Sequence, residues 1–377
     1  MTRPHPLEGL KVVELARILA GPWAGQVLAD LGAEVVKVES PMGDDTRRWG
    51  PPFIENPDGT RDAAYFHAAN RGKSSITVDF ATPQGRQRII ELIRDADVLI
   101  ENFKVGGLAR HGLGYESLAA INPRLIYCSI TGFGQDGPYA ARPGYDFVVQ
   151  GLSGIMDLTG DPRGEPQKMG VALADITTGL YAVIGIQAAL AQRERTGLGQ
   201  HIDMALLDTM VAVLANQAMN CLVSGEVPRR MGNAHPNIAP YAVFPASDSW
   251  FILAVGNDGQ FARFCAAVGL VGTEHDPRFA SNAARVTNRE VLTEVISAAT
   301  GLMSRDKILE ALERCNVPAS AINSVADGLG DPQVQARGLV HMVPDEWGRL
   351  IPTVRTPIRF SASELRLNRS SPSFSGA

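Results

Sequence analysis

Residues 168–193 hold one acidic residue, Asp175, in an otherwise uncharged stretch between Lys168 and Arg193. Apolar residues follow Asp175 mostly at helical spacing, so the pattern predicts a largely buried helix that begins just after it. One interpretation is that Asp175 caps this helix by accepting a hydrogen bond from a backbone N–H group. The other is that its carboxylate lies in a dry, glycine-rich site and serves as nucleophile or base. The pattern alone leaves both interpretations open.

A membrane-spanning helix is a third interpretation of the same segment. Thr177, Thr178 and Gln187 interrupt the apolar run. The run is also shorter than the roughly 20 apolar residues that a bilayer requires. We therefore set a membrane span aside and expect no membrane partner.

The elements that must position Asp175 follow an alternating pattern. Short apolar runs predict strands at residues 10–15 and in VVKVES, KSSITVDF, ADVLIENF and RLIYCSITGFG, with helical patterns between them. This alternation predicts a parallel sheet covered by helices on both faces. The loop after the first strand carries AGPWAG instead of GxGxxG, so the dinucleotide-binding fingerprint is absent.

The pattern predicts an α/β protein with two domains. Residues 1–200 form the N-terminal part of a large parallel-sheet domain, and residues 201–225 are predicted as a linker occupied mainly by a long helix. The composition becomes polar and rich in Pro and Asn near Ser224. A smaller α/β domain is predicted at 226–325, where AVFPASDSWFILAV resembles a hairpin followed by helices.

The composition excludes several classes of protein. A chain of 377 residues with 45% hydrophobic and 20% charged residues is typical of globular proteins. The net charge of -5 and the lack of a dense Lys/Arg block argue against nucleic acid as a partner. The 4 cysteines are widely spaced without a CxxC pair, so we expect no metal site. No secretory signal is visible at the N-terminus, and we expect a cytoplasmic protein.

Several motifs occur together in one order along the chain. They are AGPWAGQVLADLGAEVVKVE, GDDTRRWGPP, NRGKSSITVDF, ADVLIENF, ITGFGQDGPY, GYDFVVQGLSG, GVALADITTGLYA and TGLGQHIDMALLD. This set resembles the family III coenzyme A transferases over nearly the whole chain. The resemblance implies a Rossmann-like large domain built from both ends of the chain, with residues 326–377 returning to it. It also implies an interlocked, ring-like homodimer that acts on coenzyme A (CoA) and acyl-CoA.

The resemblance also implies roles for individual residues. Asp175 aligns with the catalytic aspartate that attacks the donor thioester. Asp146 matches an acid that orients the site through hydrogen bonds, and Tyr145 packs or donates beside it. The implied CoA contacts are Leu19, Ala20, Val78, Asp79, Phe80, Ala81, Asn102, Phe103, Lys104, Arg110 and Arg142.

The loop RRMGNAHPNIAPY resembles the succinate-hydroxymethylglutarate branch of this family. Arg229 and Arg230 could bind the far carboxylate of a dicarboxylic acid, and His235 lies beside them. A lone loop histidine is more often solvated or capping than reactive. We therefore predict transfer of CoA from an acyl-CoA, such as succinyl-CoA, to a carboxylic, possibly dicarboxylic, acid.

Two other functions stay open. Racemases of the same superfamily remove an α-proton with a histidine that precedes the aspartate, where this chain has Tyr145. An α-methylacyl-CoA racemase, or another CoA-dependent isomerase, is therefore the alternative enzyme. A catalytically silent CoA-binding subunit is the alternative from a different class.

Overall fold

A computed structural model describes residues 3–374 of the chain. Its strands are β1 (Lys11–Glu14), β2 (Glu34–Glu39), β3 (Phe53–Glu55), β4 (Arg61–Ala63), β5 (Ser74–Thr77), β6 (Val98–Glu101), β7 (Ile126–Thr131), β8 (His201–Ala205), β9 (Tyr241–Pro245), β10 (Trp250–Ala254), β11 (Ala319–Ala321), β12 (Val340–Pro344) and β13 (Leu350–Val354). Its α-helices are α1 (Ala20–Asp30), α2 (Ala64–Ala69), α3 (Pro83–Arg94), α4 (Tyr115–Ile121), α5 (Asp146–Ser153), α6 (Ile155–Leu158), α7 (Leu173–Thr196), α8 (Leu206–Ala212), α9 (Ala215–Ser224), α10 (Asp258–Ala267), α11 (Asn282–Thr287), α12 (Arg289–Thr300), α13 (Arg305–Arg314), α14 (Val325–Gly330) and α15 (Pro332–Ala336). Short 3₁₀ helices lie at Asp45–Arg48, Ala109–His111 and Thr273–His275.

The chain folds into two compact units, of which the first comprises Met1–Ile155, Lys168–Glu226 and Pro332–Ala377. Its main sheet has the strand order β5-β2-β1-β6-β7-β8, and each neighbouring pair is parallel. Numbered along the chain within this sheet, the order is the 3-2-1-4-5-6 arrangement of the Rossmann fold. The predicted α/β class with a parallel sheet is confirmed.

Helices cover both faces of this sheet because successive strand residues point to opposite sides. On one face, Val12 belongs to a buried cluster with Leu28 of α1 and Ile186 of α7. On the other face, Leu99 is buried in a cluster with Ile89 of α3. Each such side chain contributes about 1.5–3 kcal/mol of hydrophobic stabilisation when it is fully buried.

Helix α7 lies close to the start of α1 because Gly179 has no side chain. A Cβ atom at Gly179 would approach the carbonyl oxygen of Ala20 to 2.6 Å, which is too short for van der Waals contact. A second close approach joins Gly132, just after β7, to Gly144, where a Cβ would lie 2.4 Å from the Gly132 Cα. The two glycine contacts bring the beginnings of α7 and α5 to the carboxyl edge of the sheet.

The second unit comprises Met156–Gln167 and Val227–Asp331. Its sheet has the order β11-β10-β9 with antiparallel pairing, and β9 and β10 form the hairpin predicted from AVFPASDSWFILAV. Phe244, Phe251 and Phe261 are fully buried in the core of this unit.

The predicted linker at 201–225 is wrong in two respects. β8 is a strand of the main sheet, paired with β7 over its whole length, so these residues belong to the first unit. The predicted long helix is two helices, α8 and α9, which are bent by 71° at their junction. Ala215 there has a φ of 46°, a left-handed conformation that interrupts the helical hydrogen bonds.

Helix α7 is long and apolar enough to cross a membrane, and α8 with α9 meet the same criterion as a bent pair. Core helices of soluble proteins have the same length and composition. Ala182 and Ile186 of α7 are fully buried against the sheet. The length and composition of α7 therefore also fit a helix that packs in the core of a protein.

Candidate active site

Asp175 lies inside the first turn of α7, because the helix begins at Leu173. The prediction that the helix begins just after Asp175 is wrong by three residues. The N-cap position belongs to Ala172, which offers no side-chain hydrogen bond. Within residues 3–374 the Asp175 carboxylate accepts no hydrogen bond and forms no ion pair, so the capping interpretation fails.

The beginning of α7 is capped instead by Asp146, the first residue of α5. One carboxylate oxygen of Asp146 accepts the backbone N–H of Ala174 at 2.7 Å. The other accepts a hydrogen bond from the side-chain amide of Gln150 at 2.8 Å. The Gln150 carbonyl oxygen accepts the backbone N–H of Met169 at 3.0 Å, so this buried glutamine is also fixed. Asp146 thus holds the turn that carries Asp175.

The electrostatic state of Asp175 follows from this arrangement. Burial, and then the nearby negative charge of Asp146, raise the pKa of Asp175 to about 7. A carboxylate without hydrogen-bond donors, in a poorly solvated site, is a stronger nucleophile than a solvated one. The side chain therefore has the properties of a reactive acid and not those of a structural cap.

Tyr65 of α2 lies within electrostatic reach of this site. Burial raises the pKa of its phenol, and the charges of Asp175, Asp146 and Asp44 raise it further. Its ring contacts the Trp49 ring edge to face, with centroids 5.4 Å apart. Sequence analysis missed both aromatic residues, since no local periodicity connects a tyrosine at 65 with an aspartate at 175. The phenol is a candidate hydrogen-bond donor for an anionic group at Asp175.

Tyr145 was expected to pack or donate beside Asp146. In the structure Tyr145 is the N-cap residue of α5, but its side chain caps nothing and is 64% exposed. The role that the resemblance implies for Tyr145 stays a prediction.

A cleft of about 150 Å³ lies at the carboxyl edge of the main sheet, where the strand order reverses between β1 and β6. This edge is the usual ligand position of doubly wound folds. Among the implied CoA contacts, Val78, Phe80 and Phe103 line the cleft. The Phe80 and Phe103 rings meet edge to face with centroids 5.3 Å apart, which provides an apolar wall.

The loop before α1 is fixed beside this cleft. Asn102 accepts the backbone N–H of Arg17 at 2.9 Å and donates to its carbonyl oxygen at 2.7 Å. Ile18 has a φ of 71°, an unusual conformation for a β-branched residue, and its N–H points to the Asp44 carboxylate. Leu19 and Ala20, the next residues and implied CoA contacts, are buried.

The remaining implied CoA contacts have different surroundings. Asp79 and Ala81 form an exposed turn in which the Asp79 carboxylate accepts the Ala81 N–H at 3.0 Å. Lys104 lines a second, smaller cavity next to the cleft. Arg110 is exposed in the 3₁₀ helix after β6. The guanidinium of Arg142 lies over the Tyr139 ring, 3.9 Å from its centroid, and is exposed.

The three suggested acceptor-binding residues lie in the second unit. Arg229 is exposed, and Arg230 donates to the Asp157 carboxylate at 2.8 Å, which neutralises its charge. His235 accepts the backbone N–H of Asn237 at 3.1 Å through Nδ1, and its ring meets Tyr241. The histidine therefore stabilises its own loop.

Arg47 is buried among internal acids, whereas Arg48 is exposed. Arg47 pairs with Glu39 at 2.6 Å and Asp62 at 2.9 Å. No group of three or more metal-ligating side chains occurs in the part of the chain that the structure describes.

Comparison with known proteins identifies relatives along the full length of the chain. A family description, CoA-transferase family III, matches residues 7–376. The chain is 58% identical over 372 residues to the succinate-glutarate CoA-transferase of Agrobacterium fabrum. The aligned residues cover 98% of this chain and 93% of that protein. It is 43% identical over 341 residues to the succinyl-CoA:glutarate CoA-transferase of Homo sapiens, covering 90% of this chain and 77% of that protein. A crystal structure of a CAIB/BAIF family protein from Brucella suis superposes with a TM-score of 0.88 at 60% identity, covering 99% and 97% of the two chains.

Proposed function

This chain belongs to CoA-transferase family III, and from that premise we propose that it transfers CoA from succinyl-CoA to a dicarboxylic acid of the size of glutarate. The observation that carries the chemistry is Asp175, a carboxylate without a hydrogen-bond partner among residues 3–374 and with a pKa raised to about 7. The choice of donor and acceptor rests on the names of the relatives at 58% and 43% identity.

The first half of the reaction removes CoA from the donor. The Asp175 carboxylate attacks the thioester carbonyl carbon of succinyl-CoA, the C–S bond breaks, and CoA leaves as thiolate. The product is a mixed anhydride of Asp175 and succinate. The thiolate then attacks the Asp175 carbonyl carbon, and succinate leaves as carboxylate. The enzyme now holds an aspartyl-CoA thioester.

The second half repeats these steps in reverse order. The acceptor carboxylate attacks the aspartyl thioester and releases CoA thiolate, which forms a second mixed anhydride. The thiolate attacks the acceptor acyl carbon, and Asp175 leaves as carboxylate. No proton, electron or metal ion is needed for the balance, so we propose a reaction without a metal cofactor.

The described residues supply two conditions for this reaction. Anhydrides hydrolyse readily, so water must be excluded, and burial of Asp175 supports that exclusion. The hydrogen bond from Ala174 to Asp146 holds the helical turn that carries Asp175 against the donor carbonyl. Tyr65 is the proposed donor to the oxyanion of the tetrahedral intermediates.

We further propose that the protein functions as an interlocked homodimer in the cytoplasm. Leu180, Tyr181 and Ile184 of α7 and Leu222 and Val223 of α9 are exposed large apolar residues. Monomeric proteins rarely leave such residues together in contact with water, so a second copy is the proposed cover. Light scattering measures the mass in solution, and a monomer at micromolar concentration would contradict this proposal.

The test of the proposed function is exchange between succinyl-CoA and a panel of carboxylic acids, followed by mass spectrometry of the CoA esters. Glutaryl-CoA is the expected main product. Hydroxylamine added during turnover should convert Asp175 to a hydroxamate, which peptide mapping locates. Exchange of α-deuterium without formation of a new CoA ester would indicate the racemase activity instead.

A further inference from the structure

Three polar side chains form an array that joins the end of β6, the middle of β7 and the start of β8. Glu101 ends β6 and lies directly opposite Ser129 of β7 in the parallel register. Ser129 Oγ lies 2.9 Å from Nε2 of His201, the first residue of β8. Glu101 and Ser129 are buried. The proposed reaction uses none of the three side chains.

The array is tied directly to the turn after β6. One carboxylate oxygen of Glu101 accepts the backbone N–H of Phe103 at 2.8 Å. The hydroxyl of Ser129 lies close enough to Glu101 to lower the pKa of its carboxyl group. Ser129 therefore lies between His201 and Glu101, and Glu101 in turn holds the Phe103 backbone.

A cavity of about 90 Å³ is lined both by this array and by the turn that follows β6. Lys104, an implied CoA contact, lines the cavity together with Glu101 and His201. The other titratable groups that face the array are Tyr115, Tyr127, Cys128 and Asp203. Tyr115 stacks on the His201 ring, with centroids 5.3 Å apart and planes at 19°.

The carboxyl group of Glu101 exists in two protonation states near neutral pH. Burial raises the pKa of Glu101 to about 7, hydrogen bonds from Ser129 and Phe103 oppose the shift, and the charge of Asp203 adds to it. The ionised form accepts the Phe103 N–H in a charge-assisted hydrogen bond, which is stronger than the neutral bond of the protonated form. The turn is thus held more firmly at high pH.

We propose that Glu101, supported by Ser129 and His201, is a positioning residue for CoA. It acts on CoA through the turn at residues 102–104, which it holds more firmly when its carboxyl group is ionised. Asn102 extends the effect, since its side chain fixes the Arg17 backbone before α1. Ionisation of Glu101 therefore orders the turn and, through Asn102, the neighbouring loop. The inference rests on the proposed function only in placing CoA at these residues.

The experiment measures binding of free CoA by calorimetry between pH 6 and pH 8.5. Asp175→Ala serves as the parent, which removes the titration of Asp175 from the profile. We expect CoA affinity of the parent to fall about fivefold as the pH decreases and Glu101 is protonated. Addition of Glu101→Gln, which keeps an acceptor for the Phe103 N–H but cannot ionise, should give the low affinity at every pH.

Two further measurements separate this positioning role from a general loss of stability. Ser129→Ala in the same parent removes a bond that lowers the Glu101 pKa, so its affinity profile should move to higher pH. Titration of the CoA phosphates is common to all variants and cancels in their comparison. A Glu101→Gln variant with the affinity and pH profile of its parent would overturn the inference. CoA binding by the wild-type protein without succinyl-CoA:glutarate exchange would instead remove the proposed function and leave this inference intact.

Discussion

Two acidic side chains in the first unit, the buried Glu39 and the half-buried Asp175, differ in their hydrogen-bond partners. Glu39, at the end of β2, accepts hydrogen bonds from Arg47 at 2.8 and 2.6 Å and from Ser75 at 2.6 Å. Burial favours a raised pKa for Glu39, but Arg47, Lys37 and Ser75 together outweigh burial and hold that pKa below its ordinary value. Asp175 has no such donor among residues 3–374, and its pKa is raised to about 7.

The difference shows what distinguishes a structural carboxylate from a reactive one. Both acids occur in segments that the sequence marks as buried. Partners make Glu39 a fixed member of a salt-bridge network, whereas their absence leaves Asp175 free to form a bond with carbon. If this comparison is right, Asp175 contributes to catalysis and Glu39 with Arg47 contributes to stability, and each can be changed without the other.

Replacement of Asp175 tests the reactive side of the comparison and has the largest expected effect. Asp175→Ala should reduce succinyl-CoA:glutarate exchange by about 10⁴-fold or more, because no other carboxylate can form the covalent intermediates. Initial rates of glutaryl-CoA formation measure the loss. The thermal unfolding midpoint should not decrease, since the replaced carboxylate accepts no hydrogen bond. Undiminished exchange by a correctly folded Asp175→Ala protein would contradict the mechanism.

Replacement of Arg47 tests the structural side. Arg47→Met retains an apolar side chain against Phe66, whose ring centroid lies 3.6 Å from the guanidinium carbon, but leaves Glu39 and Asp62 buried without their ion-pair partner. Breaking such a buried pair costs about 3–5 kcal/mol, which urea unfolding measures. The matched control is Arg48→Met, where the exposed pair with Asp45 contributes about 1 kcal/mol at most. Equal losses in the two variants would remove the distinction.

Sequence reasoning recovered the parts of this comparison that depend on local pattern. The alternation of strands and helices predicted the parallel sheet, and an isolated acid in an apolar stretch singled out Asp175. The cap that Asp146 provides for α7 joins residues 28 positions apart. The pairing of Arg47 with Glu39 and the approach of Tyr65 to Asp175 likewise depend on tertiary folding. No periodicity within one element encodes such contacts.

The pH dependence of exchange sharpens the comparison. Attack on the thioester requires ionised Asp175, so kcat/KM of a Glu101→Gln variant, in which Glu101 does not titrate, should rise about tenfold between pH 6 and pH 8, as expected for a group with a pKa of about 7. Glu39, with its lowered pKa, stays ionised throughout and contributes nothing to this profile. Initial rates corrected for thioester hydrolysis give the profile.

The stability of the protein should change with pH in the opposite sense. The folded protein raises the pKa of Asp175, so the unfolded chain loses the Asp175 proton at a lower pH than the folded protein does. The free energy of unfolding therefore decreases as pH rises from about 4 to about 7. Asp175→Asn lacks this loss and should be the more stable protein at pH 8, with the difference vanishing toward pH 4. Equal stability of the wild-type protein and Asp175→Asn at pH 8 would show that burial does not raise the pKa of Asp175.

The smallest expected effect concerns the contribution of Asp146 to the pKa of Asp175. Asp146→Asn retains an oxygen for the Ala174 N–H but removes the second of the two causes that raise this pKa, after burial. The acid limb of the kcat/KM profile should therefore move to lower pH by a fraction of a pH unit. Asp146→Ala is the matched variant without the cap, and it should also lower kcat because the first turn of α7 is no longer fixed. If Asp146→Asn and Asp146→Ala gave the same profile and the same kcat, the charge and the hydrogen bond of Asp146 could not have the separate roles that the comparison assigns to them.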